Sequence, residues 1–247
     1  MTAEPMWRPS DQRIRQTNIH RFMQQINDRY GTSFESYAPL FDWSIANLRE
    51  FWAMVWEFVD IRASTGFDEV VDDPKKMPGA SWFAGSELNF AENLLRFSDD
   101  RTAIIFRGEA MHESRKLTYA ELHREVAKVA ASLREAGVTV GDRVVGFMPN
   151  MPETIIAMLA ATSLGATWSS CSPDFGVKGV LDRFARIEPK VLFTANGYSY
   201  AGKRFDSLDK VAGIVAELSS HPRIVVVPYT DERADLTGLP RAIHYQD

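Results

Sequence analysis

The sequence predicts an α/β protein: a helical amino-terminal cap followed by a largely parallel, doubly wound αβ half-domain. Three observations carry this. Up to about residue 100, apolar residues recur at helical spacing with no convincing two-residue alternation. Beyond it, short apolar runs alternate with amphipathic ones in β-α-β-α order. Five such runs separated by four helices need cover on both faces, which a parallel sheet with helices on each side provides. The chain accordingly divides into a cap over 1–99 and an αβ part over 100–247.

Ser10 can cap a first helix, in which Ile19, Phe22, Met23, Ile26 and Tyr30 follow the i, i+3, i+4, i+7 rule and Gly31 supplies the stop. Ser44 can cap a second, continued by Leu48, Phe51, Val55, Phe58, Val59 and Arg62. The segment DEVVDDPKKMPGASWFAG reads as a loop, and Asn89 to Phe97 as a third helix. The first αβ strand is Ala103 to Phe106. Thr118 and Glu121 then form a capping box, and Gly137 closes the helix they open. Further strands are predicted at 143–148, 166–170, 190–194 and 223–228. Between them lie helices from Pro152, from Val177 to Ile187 and from Asp206 to Leu218. After Pro228 the chain reads as polar and turn-rich. The sheet therefore lacks a closing element, and the expectation is exposed apolar surface and self-association.

Composition narrows the function classes. Apolar residues make up 45% and charged residues 25% of the 247, which excludes a disordered or collagen-like chain. Lys and Arg number 28 against 33 Asp and Glu, so the net charge of −5 carries no general nucleic-acid footprint. No apolar run approaches the roughly 20 residues that span a bilayer, so no membrane partner is expected. The single cysteine, Cys171, cannot form an internal disulfide, and the first residues lack an apolar secretory core. Together these point to the cytoplasm.

Several motifs invite chemistry. Gly197 to Arg204 fits G-x-x-x-x-G-K after a strand, but Arg204 stands where a P-loop needs the Mg²⁺-ligating Ser or Thr. A P-loop NTPase is thereby disfavoured, and Lys203 with Arg204 reads either as a surface phosphate contact or as a solvated basic turn. His20, His112, His123, His221 and His244 show no ligand spacing, so no metal site is predicted. There is no G-x-S-x-G and no G-x-G-x-x-G. Thr167 to Gly176 leaves a strand at its carboxyl end, where ligands of open α/β sheets gather. There Trp168 and Phe175 offer flat faces, and Ser172 and Asp174 offer polar groups or plain helix capping. Pro149 to Glu153 sits at the same edge.

At these motifs the chain resembles a known family. Gly141-Asp-Arg-Val-Val, Pro149-Asn-x-Pro-Glu153 and Ser163-Leu-Gly-Ala166 are similar to the adenylate-forming acyl-CoA synthetases. Trp82-Phe-x-Gly-x-x-Leu-Asn-x-Ala-Glu-Asn93 resembles the acetyl-CoA synthetase branch. Trp168 to Gly176, Val180 to Phe184 and Pro189 to Phe193 resemble the acetoacetate-activating members of that branch. The resemblance implies the adenylate-forming fold and an acid–thiol ligase using ATP, Mg²⁺ and CoA, with acetoacetate as the small-molecule substrate. In that reaction a carboxylate attacks the α-phosphate of ATP, and the CoA thiol then displaces AMP. The family's phosphate loop, magnesium motifs and catalytic lysine do not occur in the 247 residues. The resemblance therefore places the catalytic residues beyond Asp247 and makes this chain inactive alone. It also implies CoA contacts here: Phe175 against the adenine, and Tyr200 and Lys203 near a nucleotide phosphate. Tyr200 replaces a family arginine. Two other readings stay open: a short-chain acyl-CoA synthetase for a different acid, and a non-catalytic CoA- or partner-binding module.

Overall fold

The computed structural model describes residues 6–109 and 114–247, so His112 lies outside the described residues. The chain forms two compact units, meeting in sequence between Leu88 and Asn89.

In the first unit the predicted long helix is two: α1 (Asp11–Arg15), capped by Ser10, and α2 (Asn18–Tyr30). Thr17 causes the break. Its hydroxyl donates to the Ile14 carbonyl and accepts from the His20 N–H, ending one helix and capping the next. Gly31 closes α2 in the left-handed region, at φ 65°. Ser44 is not a cap. It lies inside α3 (Tyr37–Ala46), donating to the Phe41 carbonyl, and Asn47 makes the joint to α4 (Leu48–Phe58). Phe22, Met23, Ile26, Leu40 and Met54 form the core of these helices. The segment read as a loop contains two short antiparallel strands, β1 (Glu69–Val71) and β2 (Trp82–Ala84). Arg49 secures β1 by donating to the carbonyls of Val71 and Asp72.

The second unit opens with α5 (Phe90–Leu94), shorter than predicted and capped by Asn89. The strand β3 (Thr102–Phe106) follows, but it is not part of the main sheet. It pairs antiparallel with β4 (Arg115–Thr118), and Ile105 is 67% exposed. The capping box of Thr118 and Glu121 opens α6 (Tyr119–Glu135) as expected. Then come β5 (Arg143–Phe147), α7 (Pro152–Ser163), β6 (Thr167–Cys171), α8 (Val177–Phe184) and β7 (Val191–Ala195). A hairpin of β8 (Gly197–Tyr200) and β9 (Lys203–Asp206) leads to α9 (Leu208–Glu217), β10 (Arg223–Val227) and β11 (Ala242–His244).

The main sheet has the order β11-β10-β7-β5-β6, all parallel. Its fifth strand is thus β11, in the tail read as strandless, and not the 103–106 run. Two-residue alternation distributes the core. Val144, Val191, Phe193 and Val225 face α6 and α7, whereas Val145, Phe147, Leu192, Ile224 and Val226 face α8 and α9. This is the doubly wound arrangement. The carboxyl ends of β5, β6, β7 and β10 consequently point to one edge.

Candidate functional site at the carboxyl edge of the sheet

Four connections leave that edge. After β5, Pro152 begins α7, and the Thr154 hydroxyl donates to the Pro149 carbonyl at 2.7 Å. Glu153 is turned inward: its Oε1 accepts from Arg115 Nη1 at 2.6 Å, and its side chain is 10% exposed. This carboxylate serves the fold, tying α7 to β4.

After β6, Cys171 is buried, and desolvation pushes its thiol pKa up despite the counteracting Arg183 charge. A neutral buried thiol is a poor nucleophile. Trp168 does not offer a face to the edge. It packs against Phe193, its ring lying where a side chain on Gly146 would stand. Asp174 does not cap α8, whose N-cap is Gly176 and which has no side-chain cap. Phe175 is 38% exposed, with the Arg183 guanidinium 4.6 Å from its ring centroid.

After β7 the G-x-x-x-x-G-K segment is a two-residue hairpin, with Tyr200 opposite Lys203. Ala201 and Gly202 both adopt positive φ, 51° and 74°, the requirement of a type I′ turn. A P-loop needs consecutive N–H groups curled around phosphate and a helix directly behind them. Here the backbone runs in a ladder and the helix waits until Leu208, so the NTPase reading falls. Tyr200 (70% exposed) and Lys203 stand at the hairpin tip.

Lys210, which the sequence reading missed, links the two segments. Its ammonium donates to the Pro173 carbonyl at 3.1 Å and lies 5.7 Å from the Tyr198 ring centroid. Tyr198 in turn stacks on Phe205, with centroids 5.1 Å apart. Pro173 and Tyr198 are each two residues from a predicted contact, Phe175 and Tyr200, so one ammonium spans both halves of the predicted site. The available signal was electrostatic. A lysine in the first turn of a helix opposes the macrodipole and needs another partner.

After β10, Asn196 holds the next loop. It is buried, and its side chain accepts from the N–H groups of Tyr229 and Thr230 at 2.8 and 3.0 Å and donates to the Asp231 carbonyl at 2.8 Å. Among the described residues no three of His, Cys, Asp and Glu come together in a way that could hold a metal ion. No described helix is long and apolar enough to cross a membrane.

Comparison with known proteins agrees with this architecture. The AMP-binding enzyme family matches residues 90–244, and the family described as the acetyl-coenzyme A synthetase N-terminus matches residues 37–94. An acetoacetyl-CoA synthetase of Danio rerio is 42% identical across 100% of this chain. One of Rhizobium meliloti is 43% identical across 96% of it. The solved structure of acetoacetyl-CoA synthetase from Streptomyces lividans matches 99% of the chain at 41% identity, with a TM-score of 0.89. The chain spans 37%, 36% and 38% of these three proteins respectively. A parallel sheet wound on both faces, together with a family match running from α5 through β11, shows that this chain belongs to the AMP-binding enzyme family.

Proposed function

We propose that the chain is the amino-terminal part of an ATP-dependent acetoacetate–CoA ligase and contributes a CoA contact to it. One observation carries the reading: the likeness to the Streptomyces lividans acetoacetyl-CoA synthetase extends over nearly all of the chain at 41% identity. The reaction joins acetoacetate to CoA through an acyl-adenylate, releasing pyrophosphate and then AMP, with Mg²⁺ accompanying ATP. This chain's residues supply binding. Phe175 presents a ring face for the adenine, and Lys203 presents a point charge to a phosphate. Tyr200 offers a hydroxyl and no charge, so the phosphate contact at this tip rests on Lys203. Self-association would use the apolar cleft of about 320 Å³ on the α6 face, lined by Val129, Leu133, Phe193, Val225 and Ile243. A cytoplasmic location fits the unpaired, buried Cys171.

Titration calorimetry with CoA tests the reading. Saturable binding is expected, and Lys203→Glu should weaken it about tenfold, the effect of reversing one charge beside a phosphate. Absence of saturable binding to the unmodified chain would overturn the CoA contact. The chain alone should release no acetoacetate-dependent pyrophosphate. If the complete gene product binds CoA but also releases none, the non-catalytic module takes the ligase's place. If it releases pyrophosphate with another short acid and none with acetoacetate, the acid assignment falls.

A further inference from the structure

The hairpin tip is already in contact with an anion belonging to the chain itself. In a type I′ turn the N–H of the second central residue has no partner within the hairpin, so it is open to an acceptor. Here that group is the Gly202 N–H, and it donates to Glu109 Oε1 at 2.8 Å, across 93 residues of sequence. Glu109 comes from the connection that follows β3 and is exposed. Its carboxylate also lies near Tyr229, whose pKa is raised by burial first and by the Glu109 charge second. The acid therefore stands at the hairpin tip, beside the same turn that carries Lys203. A carboxylate and a phosphate oxygen ask the same thing of a backbone N–H.

We propose that Glu109 is an internal competitor at this turn: its carboxylate occupies the Gly202 amide and opposes the negative charge of an arriving nucleotide phosphate, so that it sets the affinity of the tip for CoA. This rests on the reading of Tyr200 to Lys203 as a CoA contact. An exposed carboxylate bond of this kind is readily exchanged for water or for another anion, so the competitor tunes affinity without closing the site. The ligand feature it acts on is a phosphate dianion, which a single carboxylate at close range repels.

The test separates charge from structure. Glu109→Gln keeps an acceptor for the Gly202 N–H and removes the charge, whereas Glu109→Ala removes both. Affinities for CoA and for dephospho-CoA, which lacks the 3′-phosphate, are measured by calorimetry at about 0.1 M and at 1 M salt. Glu109→Gln should tighten CoA binding about fourfold at the lower salt, the size of one screened charge against a dianion at about 5 Å. The gain should vanish at 1 M salt and be absent with dephospho-CoA. Glu109→Ala should show at least that gain, because it relieves the same charge and also frees the Gly202 N–H for the phosphate. Unchanged or weaker CoA binding in Glu109→Gln, with Lys203→Glu still weakening it, would overturn the competitor while leaving the CoA contact standing. No saturable CoA binding by the unmodified chain would overturn the CoA contact and the competitor with it.

Discussion

The unit of residues 6–88 and the unit of residues 89–247 bury apolar surface in different ways. The first is fastened by rings. Phe22 meets Phe51 and Phe58 edge-on at 5.8 and 5.0 Å, and Trp56, Phe67 and Phe83 form a triangle with centroids 4.9 to 5.2 Å apart. Several of its rings keep one side in water, Trp52 and Trp82 among them. The second unit is fastened by a sheet between helix layers, and every residue of β7 is buried. A half-exposed ring can be lost while its neighbours settle into the space. A side chain beneath two helices cannot be replaced so easily, because the strand above it is pinned on both faces.

The sharpest way to break this contrast is a matched pair of truncations. Phe147→Ala removes a fully buried ring from β5 and should destabilise the second unit by about 4 kcal/mol. Trp56→Ala removes a larger ring that is only partly buried and should cost about 2 kcal/mol in the first. Hydrogen exchange on amides of β7 and of α4 reads each unit separately, as a two-unit chain requires. Equal losses would mean that the rings are as tightly held as the sheet.

The same contrast explains what was legible in the sequence. In the second unit the signals were local and redundant. The Thr118 capping box, the αL glycine at 137 and the proline opening α7 each marked a boundary that apolar periodicity also marked. In the first unit the signals were single and competed. Thr17 outbid a longer helical pattern, and Ser44, a good cap in the abstract, was absorbed into a helix interior. Short strands escaped in both units, because the three residues of β1, β2 or β11 are too few to establish alternation. The 103–106 run was a real strand given to the wrong sheet, because its partner Arg115 to Thr118 lay in a segment too polar to read as a strand. Phe175, Tyr200 and Lys203 came from resemblance, not from spacing. Lys210, Asn196 and Glu109 were hidden because their partners are distant in sequence, and only the sheet brings them to one edge.

Ion pairs sharpen the contrast at a lower energy. In the first unit Arg29 and Glu57 are close, but both side chains are half exposed. Arg29→Ala should cost no more than about 0.5 kcal/mol, as exposed pairs do. In the second unit Arg115→Ala would strand the Glu153 carboxylate, whose Oε2 already lacks a hydrogen-bond partner in a buried position. The half-exposed arginine moderates the penalty, so about 2 kcal/mol is expected. Adding Glu153→Gln to Arg115→Ala should recover part of the loss, since a neutral amide is cheaper to bury than a lone charge. Urea unfolding of the three variants checks this, and no recovery in the double variant would show that packing, not charge, sets the cost.

The smallest effect is the one with a pH signature. Asp142, in the turn before β5, accepts from the Thr139 N–H at 2.7 Å and from the Lys190 ammonium at 3.0 Å. The backbone N–H is the larger cause, and the two together hold its carboxyl below the ordinary value of 3.8. In the first unit Asp72 is also depressed, but there the half-exposed Lys76 is the largest cause, with the backbone N–H groups of Asp73 and Ser81 behind it. A depressed carboxyl binds its proton more weakly in the folded state than in the unfolded one. Its contribution is therefore fully present above the unfolded pKa and is lost as pH falls through the folded one. Asp142→Asn should lower stability by about 1 kcal/mol at neutral pH, and the gap should close as pH drops below that ordinary carboxylate value. One molar salt should leave most of the Asp142 gap in place, because a backbone dipole at hydrogen-bond distance is poorly screened, and should take a larger share of the Asp72→Asn gap, leaving there the part owed to the Asp73 and Ser81 N–H groups. Chemical denaturation of both variants at two pH values and two salt concentrations separates the two anchors. If salt removed both gaps equally, Asp142 would be held by Lys190 and not by the turn, and the contrast between the units would not extend to their polar contacts.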